Sequence, residues 1–206
     1  MKASPKIMWL LRAILLIFVL IQATQVRADE VQAMRTALEL AAGEDWDGAL
    51  AVAPAGVGRD VIEWQRLRAG DGVLGDYEDF LARRPDWPGL PLLKEKGEEA
   101  VARSTSPDRV IAYFGSDLPE TGTGAVALVA ALQAKGRAAE AETEAMRAWV
   151  ELDFTADEEA ALIALVPEGI SFVHQLRLDR LLWDERRAAA ERMLPRLPED
   201  RRKLAR

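Results

Sequence analysis

The sequence predicts an all-α fold, a right-handed superhelix or solenoid of irregular antiparallel helix hairpins of the tetratricopeptide-like kind. Nearly every segment after Ala28 repeats its apolar residues at helical spacing. No run of alternating β-branched residues is long enough to make a strand. Turn signals divide the chain into about five or six helix pairs of roughly 25–30 residues each, a period that fits a helical solenoid better than a compact bundle. The repeats are degenerate, and a simple bundle of the same helices is the alternative.

Residues 1–28 read as an export signal. Lys2, Lys6 and Arg12 form a basic start, residues 13–21 are uninterrupted apolar, and Val26-Arg27-Ala28 supplies small residues before a cut at Asp29. The apolar stretch is much shorter than the roughly 20 residues that cross a bilayer, so no stable transmembrane anchor is expected. The mature chain, residues 29–206, is expected to be soluble and periplasmic.

The first mature helix places Val31, Met34, Leu38 and Ala41 on one face, with Gly43 as its left-handed stop. Trp46, Leu50 and Ala53 begin the return helix, and Val61, Trp64, Leu67 and Arg68 continue the pattern. Gly70, Gly72 and Gly75 then break it before Tyr77, Phe80 and Leu81 resume. Pro85-Asp86-Trp87-Pro88 is a rigid corner.

Ser106 followed by Pro107 is an N-cap with proline at the first helical position, opening the helix through Val110 and Phe114. Residues 125–132 are apolar all round, as in a helix sandwiched between neighbours. Lys135-Gly136-Arg137 turns into a face of Ala138, Ala141, Ala145 and Trp149, whose small side chains let helices approach closely. Thr155 with Glu158 three residues on is a capping box, which makes Glu158 a structural acid rather than a catalytic one. One helix is expected over residues 170–183.

Composition excludes several function classes. The chain has 27 Lys and Arg against 34 Asp and Glu; the signal holds four of the bases and no acid, leaving 23 against 34, or −11. With no basic stripe to displace counterions from phosphates, nucleic acid is not an expected partner. There is no cysteine, so no disulfide or thiolate site can form, and stability rests on packing.

No motif brings a cofactor, a metal site or a catalytic residue with it. Gly122-Thr123-Gly124-Ala125-Val126-Ala127 imitates a dinucleotide loop, but such a loop needs a strand before its helix, and here Asp117-Leu118-Pro119-Glu120 is a loop. The glycines read as a flexible helix entry. His174, the one histidine, lies near Arg177 and Asp179 without a second histidine or a local nucleophile, and reads as an interface residue. Of the five mature tryptophans, Trp46, Trp64 and Trp149 fall on apolar stripes and read as core. Trp87, in the proline corner, and Trp183, beside Asp184-Glu185-Arg186-Arg187, are the candidates for stacking on a sugar ring. Many carboxylates are present, yet composition singles out none as a general acid.

Trp64-Gln65-Arg66-Leu67-Arg68-Ala69-Gly70 and the run from Asp76 through Phe80-Leu81-Ala82-Arg83-Arg84-Pro85-Asp86-Trp87-Pro88-Gly89-Leu90 resemble the superhelical part of soluble lytic murein transglycosylases. Val110-Ile111-Ala112-Tyr113-Phe114, Thr121-Gly122-Thr123-Gly124, residues 138–149 and Arg177-Leu178-Asp179-Arg180-Leu181-Leu182-Trp183 look like its later landmarks. The resemblance implies a ring or U of stacked helix hairpins with a lysozyme-like domain after it. The implied chemistry is non-hydrolytic cleavage of the β-1,4 bond between N-acetylmuramic acid and N-acetylglucosamine in peptidoglycan. The family's catalytic glutamate, followed by serine and a Gly-Leu-Met-Gln-type stretch, has no counterpart here, so no catalytic residue carries over.

Two readings follow. In the favoured one the chain is the front of such an enzyme, incomplete at its C-terminal end, where Arg201–Arg206 stops within a helical pattern. Its helices orient glycan strands for a catalytic domain, and the unfinished stack leaves an apolar face open. In the other it is a complete periplasmic scaffold that binds a glycan or a cell-wall protein without catalysis.

Overall fold

A computed structural model describes residues 28–199. The expected export signal, apart from Ala28, and the Arg201–Arg206 end lie outside the described residues. The predicted all-α class holds: the described residues form helices, with no strand among them. They fall into two compact units, one ending at Ala69 and the other starting at Gly70.

In the first unit α1 covers residues 28–42, α2 Trp46–Val52 and α3 Val57–Arg68. Ala37, Ala41, Ala49 and Ile62 are buried together, and Met34, Leu40, Trp46, Leu50 and Ala53 pack around them. The buried stripe of α1 is therefore rotated from the expected one: Val31 is 62% exposed and Leu38 40%. Alanines win because a small residue on the inner face brings backbones close, and the larger side chains are turned out. The left-handed residue after α1 is Glu44 (φ 60) rather than Gly43. Two bonds close this turn, from Asp45 N to Leu40 O and from Glu44 N to Ala41 O, a Schellman arrangement that satisfies the last carbonyls of α1. Asp45 then caps α2 by accepting from Gly48 N at 3.0 Å.

Trp46 and Trp64 are half-buried rather than core. The guanidinium of Arg68 lies 4.5 Å over the Trp64 ring, which covers one indole face without burying it.

In the second unit the helices are α4 Leu74–Arg83, α5 Leu90–Ala102, α6 Pro107–Phe114, α7 Gly122–Ala134, α8 Ala138–Glu151, α9 Ala156–Leu165, α10 Pro167–Ser171, α11 His174–Trp183 and α12 Arg187–Met193. Gly75 lies inside α4 instead of before it, because Asp76 caps the helix by accepting from Val73 N at 3.1 Å. The single helix expected over residues 170–183 is broken at Phe172 and Val173 into α10 and α11. Pro167 starts α10 right behind α9, where its missing N–H costs nothing.

α7 is the central element. Leu128, Val129, Ala131 and Leu132 are buried, and the helix packs against α5, α6, α8 and α9, which accounts for its apolar circumference. Gly136 (φ 72) makes the turn to α8, with Arg137 N bonded to Leu132 O. On α8 the expected face is present in Ala141, Ala145 and Trp149, which are inaccessible to solvent together with Ala148, whereas Ala138, at the first position of the helix, is exposed.

The capping predictions hold. Ser106 accepts from Arg109 N, and Thr155 and Glu158 satisfy each other's backbone N–H groups. Replacing Thr155 by alanine is expected to cost about 1 kcal/mol, read as a lower urea midpoint at unchanged slope.

Candidate functional site

The segment from Asp117 to Thr123, which leads into α7, is where side chains from three other helices converge. Glu98, on α5 and only 3% exposed, reaches across to it. Its carboxylate accepts from Glu120 N at 2.8 Å, Thr121 N at 2.9 Å and the Thr121 hydroxyl at 2.5 Å. Thr121 Oγ1 in turn accepts from Gly124 N at 3.0 Å, so the first turn of α7 is capped by a relay that begins on another helix. From α9, Glu158 Oε1 accepts from the Thr123 hydroxyl at 2.5 Å while Oε2 caps its own helix. From α8, Arg147 donates to Pro119 O at 2.9 Å and is itself held by Glu144 and Glu151. Lys94 of α5 pairs with Asp117.

This convergence explains the glycines. A methyl group on Gly124 would stand 2.6 Å from Glu98 Cδ, and one on Gly122 would stand 2.7 Å from Phe154 Cδ1 and 2.8 Å from Asp153 O. They are points of close approach rather than the flexible entry expected from sequence.

Beside this segment a groove of about 720 Å³ runs along α5 and α6. Leu90, Leu92, Phe114 and Leu118 give it apolar walls, and Glu95, Glu98, Tyr113 and Glu120 contribute polar atoms. Burial pushes the Glu98 carboxyl above the ordinary carboxylate range, outweighing its three donors. Burial likewise raises the Tyr113 phenol, whose hydroxyl donates to Lys94 O at 2.8 Å.

A second polar centre lies between α8, α9, α11 and α12. Arg177, fully buried, donates to Glu159 Oε1 at 2.9 Å and to Trp149 O at 2.6 Å, with its guanidinium 4.4 Å over the Trp149 ring. Arg192 closes the other side of Glu159 at 2.9 Å. Burial acts to raise the Glu159 carboxyl, but the donors from Arg192 and Arg177 prevail and hold it below its usual range. This is a buried ion triad in which both Glu159 oxygens are occupied by guanidinium donors.

Of the two tryptophan candidates, Trp183 presents its ring to solvent at 87% exposure. Trp87 is half-buried, edge-on to Phe80 at 5.7 Å and with Arg84 over its face at 5.8 Å, so it serves the corner. His174 lies against Trp149 with ring centroids 5.7 Å apart, as an interface histidine does. Burial, with Arg196 and Arg177 nearby, lowers its pKa and keeps it neutral at pH 7.

Sequence reasoning did not single out Glu98, Glu159 or Arg177. Charged side chains read as solvated, and the cap signals at Ser106-Pro107 and Thr155-x-x-Glu158 did not reach these three residues. No group of three or more acids or histidines able to hold a metal is found among the described residues. No described helix is long and apolar enough to cross a membrane. Comparison of the chain with protein-family models, curated proteins and solved structures gives no match.

Proposed function

We propose that this chain is a periplasmic helical scaffold that holds peptidoglycan glycan strands in position for a lytic-transglycosylase catalytic domain. The single observation that carries the reading is the groove along α5 and α6. Its volume is that of a ligand site, its apolar walls suit the apolar faces of pyranose rings, and the carboxylates of Glu95 and Glu120 suit hydroxyl donors. In support, α5 packs on α7, α7 on α9 and α8 on α10, the next-neighbour order that stacked hairpins use. The contribution of such a scaffold is orientation of the substrate rather than bond-making.

The exported chain is expected to be retained on purified peptidoglycan, and replacing Glu95 and Glu120 together by alanine is expected to lower retention at least fivefold. Trp87→Ala is expected to leave it unchanged. Absence of retention, together with unchanged turnover when the chain is fused to a lytic transglycosylase catalytic domain, overturns the reading.

A further inference from the structure

The groove along α5 and α6 is rich in acceptors and poor in donors. Leu90, Pro91, Lys94, Glu95 and Glu98 recur at helical spacing on one face of α5, over about 12 Å of its length, so its apolar and charged lining share that face. Four lining side chains are carboxylates, Glu95, Glu98, Asp117 and Glu120, against the single ammonium of Lys94. Lys94 matches Asp117, and Glu98 is occupied by three donors from the entry to α7. Two acids are left over. Glu95 has Lys96, its chain neighbour, at 3.7 Å in an exposed pair of little worth. Glu120 is exposed, and its carboxylate has no ion pair or hydrogen bond among the described residues. It also stands near Glu98: after burial, the larger cause, the charge of Glu120 contributes to raising that carboxyl.

The donors run the other way. Only Lys94 and Tyr113 among the lining side chains carry an ordinary donor; Lys94 is turned to Asp117, and Tyr113 donates to Lys94 O at 2.8 Å. The backbone N–H groups of Glu120 and Thr121 are spent on Glu98. An acetamide carbonyl entering the groove therefore meets no uncommitted side-chain donor, whereas an ammonium meets two open carboxylates. We infer that the groove selects amino sugars whose nitrogen is a free ammonium over N-acetylated ones, with Glu95 and Glu120 setting the preference. The inference rests on the glycan reading proposed above and narrows it. The apolar walls take the face of a pyranose ring, and the two carboxylates take the ammonium on its edge. The excess of acids over bases in the chain attracts any cation from a distance, so only ligands of like charge and different shape separate that field from the groove.

Three probes make the comparison: the tetramer of N-acetylglucosamine, the same tetramer with free amines, and spermine, which has as many amines and no ring. Titrated calorimetrically into the exported chain at low salt and mildly acid pH, where the amines are charged, the free-amine tetramer is expected to bind at least tenfold more tightly than either of the others. Its advantage over the acetylated tetramer is expected to fall below about threefold in about 1 M salt, where the screening length is about 3 Å. Glu95→Gln combined with Glu120→Gln removes the charge and keeps an oxygen for hydroxyl donors; neither site is buried. This variant is expected to keep its circular dichroism spectrum and to bind the two tetramers within about twofold of each other. Equal or tighter binding of the acetylated tetramer to the unaltered chain overturns the inference and leaves the glycan reading standing. Binding of neither tetramer overturns both. Spermine held as tightly as the free-amine tetramer overturns the inference by making charge alone the selector, and a tenfold preference that survives in the double variant overturns it by placing the selection outside Glu95 and Glu120.

Discussion

Arg177→Ala is expected to lower the stability of the second unit by about 3–5 kcal/mol, the usual result of removing one member of a buried ion pair. Three losses combine. Trp149 O loses its side-chain donor while Leu152 O keeps Arg180, the Trp149 and Phe154 rings lose the guanidinium that fills the space over them, and Glu159, 2% exposed, keeps only Arg192. Arg177→Lys is expected to recover little, since an ammonium cannot reach Glu159 and two carbonyls from one planar fork. Urea titration followed by tryptophan fluorescence measures both, because Trp149 lies against the altered site.

The same triad sets the response to acid. The Glu159 carboxyl is held below its unfolded value, so its contribution is complete above the ordinary carboxylate pKa and is lost as pH falls through the lower folded value. Glu98, raised by burial, has the opposite sign: its protonated form favours the fold at low pH, and that contribution fades as pH rises through its folded value. Glu159→Gln is therefore expected to flatten the loss of stability below pH 4.5, the ordinary value, and Glu98→Gln is expected to leave that limb in place.

Glu98→Ala and Gly124→Ala are expected to cost about 3 kcal/mol each and, combined, clearly less than the sum. Removing Glu98 leaves two backbone N–H groups and one hydroxyl without their acceptor at the start of α7, each worth about 1 kcal/mol or more when buried. Adding a methyl group at Gly124 displaces the same carboxylate and breaks the same bonds. Once Glu98 is gone, the methyl group has space, so the double variant in a thermodynamic cycle should show a coupling on the order of 1–3 kcal/mol. Strict additivity would mean that Glu98 and Gly124 act separately and that the relay into α7 is not what holds the helix entry.

The two residues in that cycle also show where a sequence stops being legible. Helix content, the caps at Ser106 and Thr155, the Gly136 turn and the central packing of α7 follow from rules that act within one turn or one helical face. These are found where expected. Glu98 meets Thr121 from 23 residues away and Arg177 meets Glu159 from 18, and no spacing rule couples residues on different helices. A charged residue on a helix therefore reads as solvated until its neighbour is known. The rotated face of α1 has a related origin. Periodicity selects the most apolar stripe, whereas the fold buried Ala37 and Ala41 and left Val31 and Leu38 outside, because closeness of backbones outweighed side-chain area. Trp183 was legible for the opposite reason: a large aromatic beside four consecutive charged residues has no core to enter.

α7 touches two helices that precede it and two that follow it. A stack of hairpins can fray from one end, hairpin by hairpin. Within this one α5, α6, α8 and α9 lose a common neighbour at once if α7 opens, so the amides of these five helices should exchange with solvent in a single cooperative event, with one shared opening free energy.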